Sequence, residues 1–90
     1  MQIRVLRENK NELELEIEGE TYTLANLLNS YLLRQNGVNS AFKVEHYLIP
    51  NFKTVIMTER GSPYQALKNA IKDIATDLNA LEQLVKSLED

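Results

Sequence analysis

The last third of the chain carries an apolar pattern that predicts one long amphipathic helix. Spacings that alternate between four and three residues separate its apolar side chains, which are Leu67, Ile71, Ile74, Leu78, Leu81, Val85 and Leu88. Such spacings place side chains on one face of an α-helix. Ser62 and Pro63 precede the pattern as an N-cap and a first helical residue, and no Gly or Pro follows them. We therefore expect a helix from Pro63 to about Glu89.

A helix of this length is longer than the domain that carries it. At ~1.5 Å per residue it spans roughly 40 Å, whereas a compact domain of this size is roughly 30 Å across. Ala70 and Leu84 widen the apolar face beyond a two-stranded coiled-coil seam, to the width typical of a globular domain or bundle. We expect a partner to cover the overhang. The alternative is a helix that bends around its own core or frays after Leu81.

The composition limits the classes of function open to the chain. The sequence has no Cys, which excludes disulfides, thiolate metal sites and Cys nucleophiles. Its net charge is −3, and its Lys and Arg residues form no cluster interleaved with aromatic residues, so nothing indicates a nucleic-acid surface. No stretch approaches the ~20 apolar residues of a membrane span. We expect a soluble, cytoplasmic protein without a cofactor or a bound metal.

Two strand pairs and a shorter helix account for the rest of the chain. Residues 2–7 and 12–18 alternate between apolar and polar side chains around a polar turn, which predicts a half-buried antiparallel hairpin. Strands over residues 41–46 and 53–59 form a second hairpin. Between the hairpins we expect a helix that begins near Thr23, capped by Thr21 or Thr23, and that ends before Asn36-Gly37. Its apolar face consists of Leu24, Leu27, Leu28, Tyr31 and Leu32.

These elements predict a single α+β domain over residues 1–90. Its order is ββαββα, and the architecture is a two-layer sandwich in which two helices cover a four-stranded antiparallel sheet. The helices carry more apolar surface than one face of such a sheet requires. The expected surplus consists of Leu28, Leu32, Leu81, Leu84, Val85 and Leu88.

The sequence offers little that could support catalysis, and we expect no catalytic residue. Alternate Glu residues on the second strand lie about 7 Å apart, which suits an acid–base pair on distance alone, but they are typical of a solvated face. His46 is the single imidazole, and we interpret it as a structural residue at a strand end. The three Gly residues are isolated at element boundaries, so no phosphate-binding loop is indicated.

The order and spacing of several motifs resemble the small alpha-like subunits of RNA polymerases. Residues 13–20 (LELEIEGE) followed by 23–28 (TLANLL) are similar to that family's strand and G-E-D-H-T-L-G/A-N helix start. Residues 41–46 (AFKVEH) resemble its later strand, which ends in a His. The start of its C-terminal helix is similar to the pattern of Pro63, Ala66, Leu67, Ala70 and Ile71. The family includes archaeal subunit L and is similar to the dimerisation domain of the bacterial alpha subunit.

The chain departs from the family pattern at a few positions. Thr21-Tyr22 stands where Asp-His is usual, and Phe42 stands where Tyr is common. Tyr47 replaces the Pro expected after the His, and Pro50 lies further along. The contacts that family members normally make through those positions are therefore not carried over to this chain.

The resemblance implies a ββαββα fold and a non-catalytic role in transcription by an archaeal polymerase. Family members pair their two helices with a larger alpha-like subunit, which is named D in archaea. That heterodimer is the platform on which the large subunits, with their Mg²⁺ and catalytic residues, assemble. The residues that it implies for the pairing surface are Leu24, Asn26, Leu27, Leu28, Tyr31, Leu67, Ile71, Ile74, Leu78, Leu81, Leu84, Val85 and Leu88.

Two other interpretations of the sequence remain open. A free-standing homodimeric interaction module would use the same two helices to bind a second copy. Pterin carbinolamine dehydratases have a similar ββαββα outline, but the resemblance is one of element order only. Their chemistry depends on a cluster of His residues, whereas this sequence has His46 alone.

Overall fold

Six elements form two layers in the order predicted from the sequence. The computed structural model describes residues 1–20, 22–44 and 49–89. Its elements are β1 (Gln2–Asn9), β2 (Glu12–Glu18), α1 (Tyr22–Leu33), β3 (Val38–Lys43), β4 (Asn51–Thr58) and α2 (Pro63–Glu89). The predicted α+β class and element order are confirmed.

The observed element bounds differ from the predicted ones mainly in the second hairpin. β3 begins at Val38, earlier than predicted, and β4 begins at Asn51. The predicted strand end at His46, the departure at Tyr47 and the possible cap Thr21 lie outside the described residues. The second hairpin itself is confirmed, because β3 and β4 pair antiparallel.

The sheet places β2 and β4 at its centre and buries alternate residues of both strands. The strand order is β1-β2-β4-β3, and each neighbouring pair is antiparallel. The apolar core consists of Leu13, Leu15 and Ile17 from β2, Phe52 and Ile56 from β4, Ala25, Leu28 and Leu32 from α1, and Ala66 and Ala70 from α2. The two alanines leave room for α2 to approach the sheet closely. The prediction that Leu28 and Leu32 are surplus to this core is therefore wrong.

The long helix α2 begins at the predicted cap and extends well beyond the core. The Ser62 hydroxyl oxygen accepts the backbone N–H groups of Tyr64 at 3.1 Å and Gln65 at 3.4 Å. Every described residue from position 75 onward is exposed. The domain measures 49 × 36 × 16 Å and has a radius of gyration of 14.7 Å, against about 12 Å for a compact chain of this length. The expected overhang is confirmed, and the helix continues past Leu81 to Glu89.

The first strand is exposed along its whole length, although a half-buried strand was predicted. β1 pairs with β2 at one edge of the sheet, and the helices pack against β2, β3 and β4. Alternation in the sequence correctly places Ile3 and Val5 on the face that carries Ile17 and Leu15. That face remains uncovered at β1 because neither helix extends over the edge strand. The prediction of a half-buried β1 is therefore wrong for this chain alone.

The Glu residues of β2 form ion pairs on the outer face of the sheet. Arg4 of β1 contacts Glu16 and lies 3.6 Å from Glu18, while Arg7 contacts Glu12 and lies 3.7 Å from Glu14. Glu16 is buried, which corrects the expectation that the whole row is solvated. These pairs join the edge strand to the centre of the sheet.

Candidate subunit interface

α2 presents a row of apolar side chains to solvent, most of them on the half that projects beyond the core. Six of the predicted interface residues belong to this row, which we call the α2 seam: Ile71, Leu78, Leu81, Leu84, Val85 and Leu88. Helical spacing puts them along one side of a 27-residue helix. A continuous apolar face of this length is typical of a surface that another protein covers.

The remaining predicted interface residues lie closer to the core. Asn26 and Leu27 of α1 are exposed, whereas Leu24 and Tyr31 are half-buried and Leu28 is buried. On α2, Leu67 and Ile74 pack partly against the core. Leu28 therefore has little surface left for a partner, while the exposed residues of both helices are available. Membership of all these residues in an interface stays a prediction.

A polar cluster on the surface fixes how α1 crosses α2. The Tyr31 hydroxyl donates a hydrogen bond to Asp77 Oδ2 at 2.7 Å. The Arg34 guanidinium lies 3.5 Å from the same oxygen and 3.9 Å from the centroid of the Tyr31 ring. The hydrogen bond to Asp77 is the main cause of a raised pKa for the Tyr31 hydroxyl, and burial adds to the effect. Asp77 thus ties the end of α1 to α2 at the point where α2 leaves the core.

A second set of contacts joins the helices nearer to the start of α2. The Gln35 side chain donates a hydrogen bond to the Ala66 carbonyl at 2.8 Å, and its own oxygen accepts one from Asn69 at 3.5 Å. Together with the Asp77 cluster, these contacts hold the two helices in one orientation. The α2 seam is therefore presented by a helix with a defined direction.

The Tyr31 hydrogen bond predicts a loss of stability at alkaline pH. Because folding raises the pKa of Tyr31 above its ordinary value of 10.0, the stabilisation is complete below that pH. It is lost as the pH rises through the folded-state pKa, since the phenolate cannot donate to Asp77. Urea unfolding at a series of pH values should show that Tyr31→Phe is less stable than the parent below about pH 10 and that the difference shrinks above it. A difference that stays constant across this range would contradict the assignment.

Several exposed apolar residues lie outside the set predicted from the sequence. Tyr22 and Leu33 of α1 are exposed to solvent, as are Ile3 and Val5 of β1. The two helix residues fall off the apolar face that periodicity identified, so the pattern gave no signal for them. The two strand residues did carry a signal, the alternation of β1, but it was interpreted as a contribution to the core.

Neither a metal centre nor a membrane-spanning helix is found in the described ranges. Within residues 1–20, 22–44 and 49–89, no group of three or more His, Asp or Glu side chains is placed to hold a metal ion. None of the helices in those ranges is both long enough and apolar enough to cross a membrane.

A two-layer domain with an exposed apolar row on a helix that projects beyond its core is typical of a class of protein that pairs with another chain. Residues 12–84 match the family described as the RNA polymerase Rpb3/Rpb11 dimerisation domain. The chain belongs to this family. The resemblance to the small alpha-like polymerase subunits is therefore confirmed.

Relatives and a solved structure agree with the family assignment. The chain is 43% identical over 91 residues to DNA-directed RNA polymerase subunit Rpo11 of Sulfurisphaera tokodaii, covering 99% of this chain and 98% of the relative. It is 42% identical over 76 residues to the Rpo11 subunit of Saccharolobus solfataricus, covering 82% and 83%. The crystal structure of RNA polymerase subunit L from Thermoplasma acidophilum shares the fold, with a TM-score of 0.85 at 22% identity, covering 96% of this chain and 86% of that one.

Proposed function

We propose that this chain is a non-catalytic assembly subunit of a multisubunit DNA-directed RNA polymerase. It pairs through α1 and α2 with the larger alpha-like subunit of that polymerase, and the pair forms the platform for the large catalytic subunits. The observation that carries the proposal is the α2 seam, because its six apolar residues are exposed and those from Leu78 onward lie beyond the chain's own core. Membership of a dimerisation-domain family and the Rpo11 relatives support the same role.

The α2 seam supplies only part of the free energy that a stable complex requires. Burying six apolar side chains that are each about half exposed or more contributes roughly 5–11 kcal/mol gross. Association costs about 4–15 kcal/mol in lost translational and rotational freedom. The seam alone therefore supports little net affinity, and a stable pair requires further contacts, for which the exposed residues of α1 are available. In this proposal the chain contributes surface, and nucleotide transfer belongs to the large subunits.

Thermal unfolding with and without the larger alpha-like subunit tests the proposal. A partner that binds only the folded state stabilises it by about 2.7 kcal/mol at a hundredfold excess over Kd. For a domain of this size we expect the Tm to rise by roughly ten degrees or more. An unrelated helical protein at the same concentration is the control and should leave the Tm unchanged. A Tm that is equally insensitive to the larger alpha-like subunit would contradict the proposed role.

A further inference from the structure

The edge strand β1 leaves an apolar part of the sheet uncovered beside the α2 seam. Ile3 and Val5 pair in register with Ile17 and Leu15, so all four side chains lie on the face toward the helices. The β2 residues are buried, whereas Ile3 is 59% and Val5 51% exposed. β1 also lies outside residues 12–84, the part of the chain that matches the dimerisation-domain family.

One flank of α2 borders this uncovered face. The Tyr64 hydroxyl in the first turn of α2 donates a hydrogen bond to the Glu8 carboxylate of β1. Ile71 and Leu78 follow Tyr64 at intervals of seven residues, or about two helical turns each, so all three side chains lie on the same flank. Because Tyr64 contacts β1, this flank is the one on the β1 side. Ile71 and Leu78 are exposed there and belong to the α2 seam.

We use the name β1 trough for the surface formed by Ile3, Val5, Tyr64 and Ile71. Its floor is the helix-side face of β1, and its wall is the flank of α2. Ile71 belongs both to the trough and to the α2 seam, so the two surfaces are continuous.

We propose that the β1 trough is part of the subunit interface and receives an apolar helix of the same larger alpha-like subunit. This inference rests on the proposed function. A helix fits because α1 and α2 already cover the other strands of this face, and a further helix about 10 Å wide extends the same layer over the edge strand that they leave exposed. The trough also supplies contacts that the α2 seam lacks for a stable pair.

The polar surroundings of the trough agree with a buried apolar contact. The charged side chains of β1 that form ion pairs, Arg4 and Arg7, lie on the outer face of the sheet with the Glu residues of β2. Glu8, at the far end of the floor, accepts the Tyr64 hydrogen bond. An apolar helix can therefore cover Ile3 and Val5 without desolvating those ion pairs.

A pair of neighbouring substitutions tests this inference with the full chain and the purified larger alpha-like subunit. Ile3→Lys puts a charge into the trough, whereas Gln2→Lys puts the same charge on the outer face, beside Glu18. Both positions are exposed in the free chain, so both variants should keep its circular dichroism spectrum. Ile3→Ala is a second trough variant that adds no charge. The measurement is the Kd of each chain for the larger alpha-like subunit by titration calorimetry.

We expect Ile3→Lys to weaken binding at least about tenfold, Ile3→Ala to weaken it severalfold, and Gln2→Lys to stay within about twofold of the parent. If the parent binds the larger alpha-like subunit and all four chains have equal affinity for it, the β1 trough is not part of the interface, and the proposed function is unaffected. A parent chain that does not bind that subunit would remove the proposed function and the inference together. If Ile3→Lys instead disrupts a homodimer and leaves binding to the larger alpha-like subunit unchanged, the trough receives a second copy, and the inference is wrong.

Discussion

Replacing Leu81 with Glu is expected to abolish pairing with the larger alpha-like subunit while leaving the free chain folded. Leu81 is 56% exposed in the middle of the projecting half of α2, where an introduced carboxylate meets water in the free chain. In a complex that covers the α2 seam, the same carboxylate is buried among apolar side chains without a partner. A loss of at least about 2 kcal/mol is typical of a central interface residue, which corresponds to about thirtyfold or more in Kd.

Gln83→Glu is the matched control for this substitution. Gln83 lies two residues further along the same helix, which at about 100° per residue places it on the opposite side from Leu81. Both variants add one negative charge to an exposed position, so the unfolding free energy of each free chain should stay within about 0.5 kcal/mol of the parent. Equal affinity of the two variants for the larger alpha-like subunit would show that the α2 seam lies outside the interface.

Truncating Leu32 to Ala is expected to have the largest effect on the stability of the free chain. Leu32 is 0% exposed and packs in the core between α1 and the sheet. Leu→Ala at such a site removes buried methyl groups and leaves a cavity, which costs about 2–5 kcal/mol of the free energy of unfolding. A domain of this size has about 5–15 kcal/mol in total, so a large share of its stability depends on this one side chain.

The next residue provides the control, because Leu33 is 48% exposed. Leu33→Ala makes the same chemical change on the solvent side of α1 and should cost less than about 1 kcal/mol. Urea unfolding of both variants, followed by circular dichroism, measures the difference directly. Similar losses in the two variants would mean that α1 faces the sheet with a different side from the one described.

The periodic parts of the fold could be predicted from the sequence because periodicity reports local geometry. The spacing from Leu67 to Leu88 predicted a helix, and its length relative to the domain favoured an overhang over a bent or frayed end. The alternation of β2 likewise placed Leu13, Leu15 and Ile17 on the buried face. In these elements the local pattern and the tertiary environment lead to the same structure.

The division between core and surface could not be predicted in the same way. Leu28 and Leu32 belong to an apolar face that the sequence shows, but whether that face packs on the sheet depends on where α1 lies. Ile3 and Val5 have the alternation of a half-buried strand, yet burial requires a helix over the edge of the sheet. These outcomes depend on the placement of whole elements, which a local pattern does not encode.

Contacts between side chains that are far apart in the sequence could not be predicted from periodicity either. The hydrogen bond from Tyr31 to Asp77 joins residues 46 positions apart. Tyr31 was predicted as part of an apolar face, and its hydroxyl gave no indication of a partner. In the sequence, nothing distinguishes Asp77, which accepts this hydrogen bond, from the other exposed polar residues of α2. The orientation of α1 against α2 therefore follows from the structure alone.

The decisive experiment is to measure the mass of the chain in solution by sedimentation, with and without the larger alpha-like subunit. We expect a one-to-one complex when that subunit is present, and a chain that self-associates or aggregates through the uncovered α2 seam when it is absent. A well-behaved symmetric homodimer that does not bind the larger alpha-like subunit would show that the proposed pairing is wrong. In that case the family fold would be retained, and α2 would be covered by its own copy.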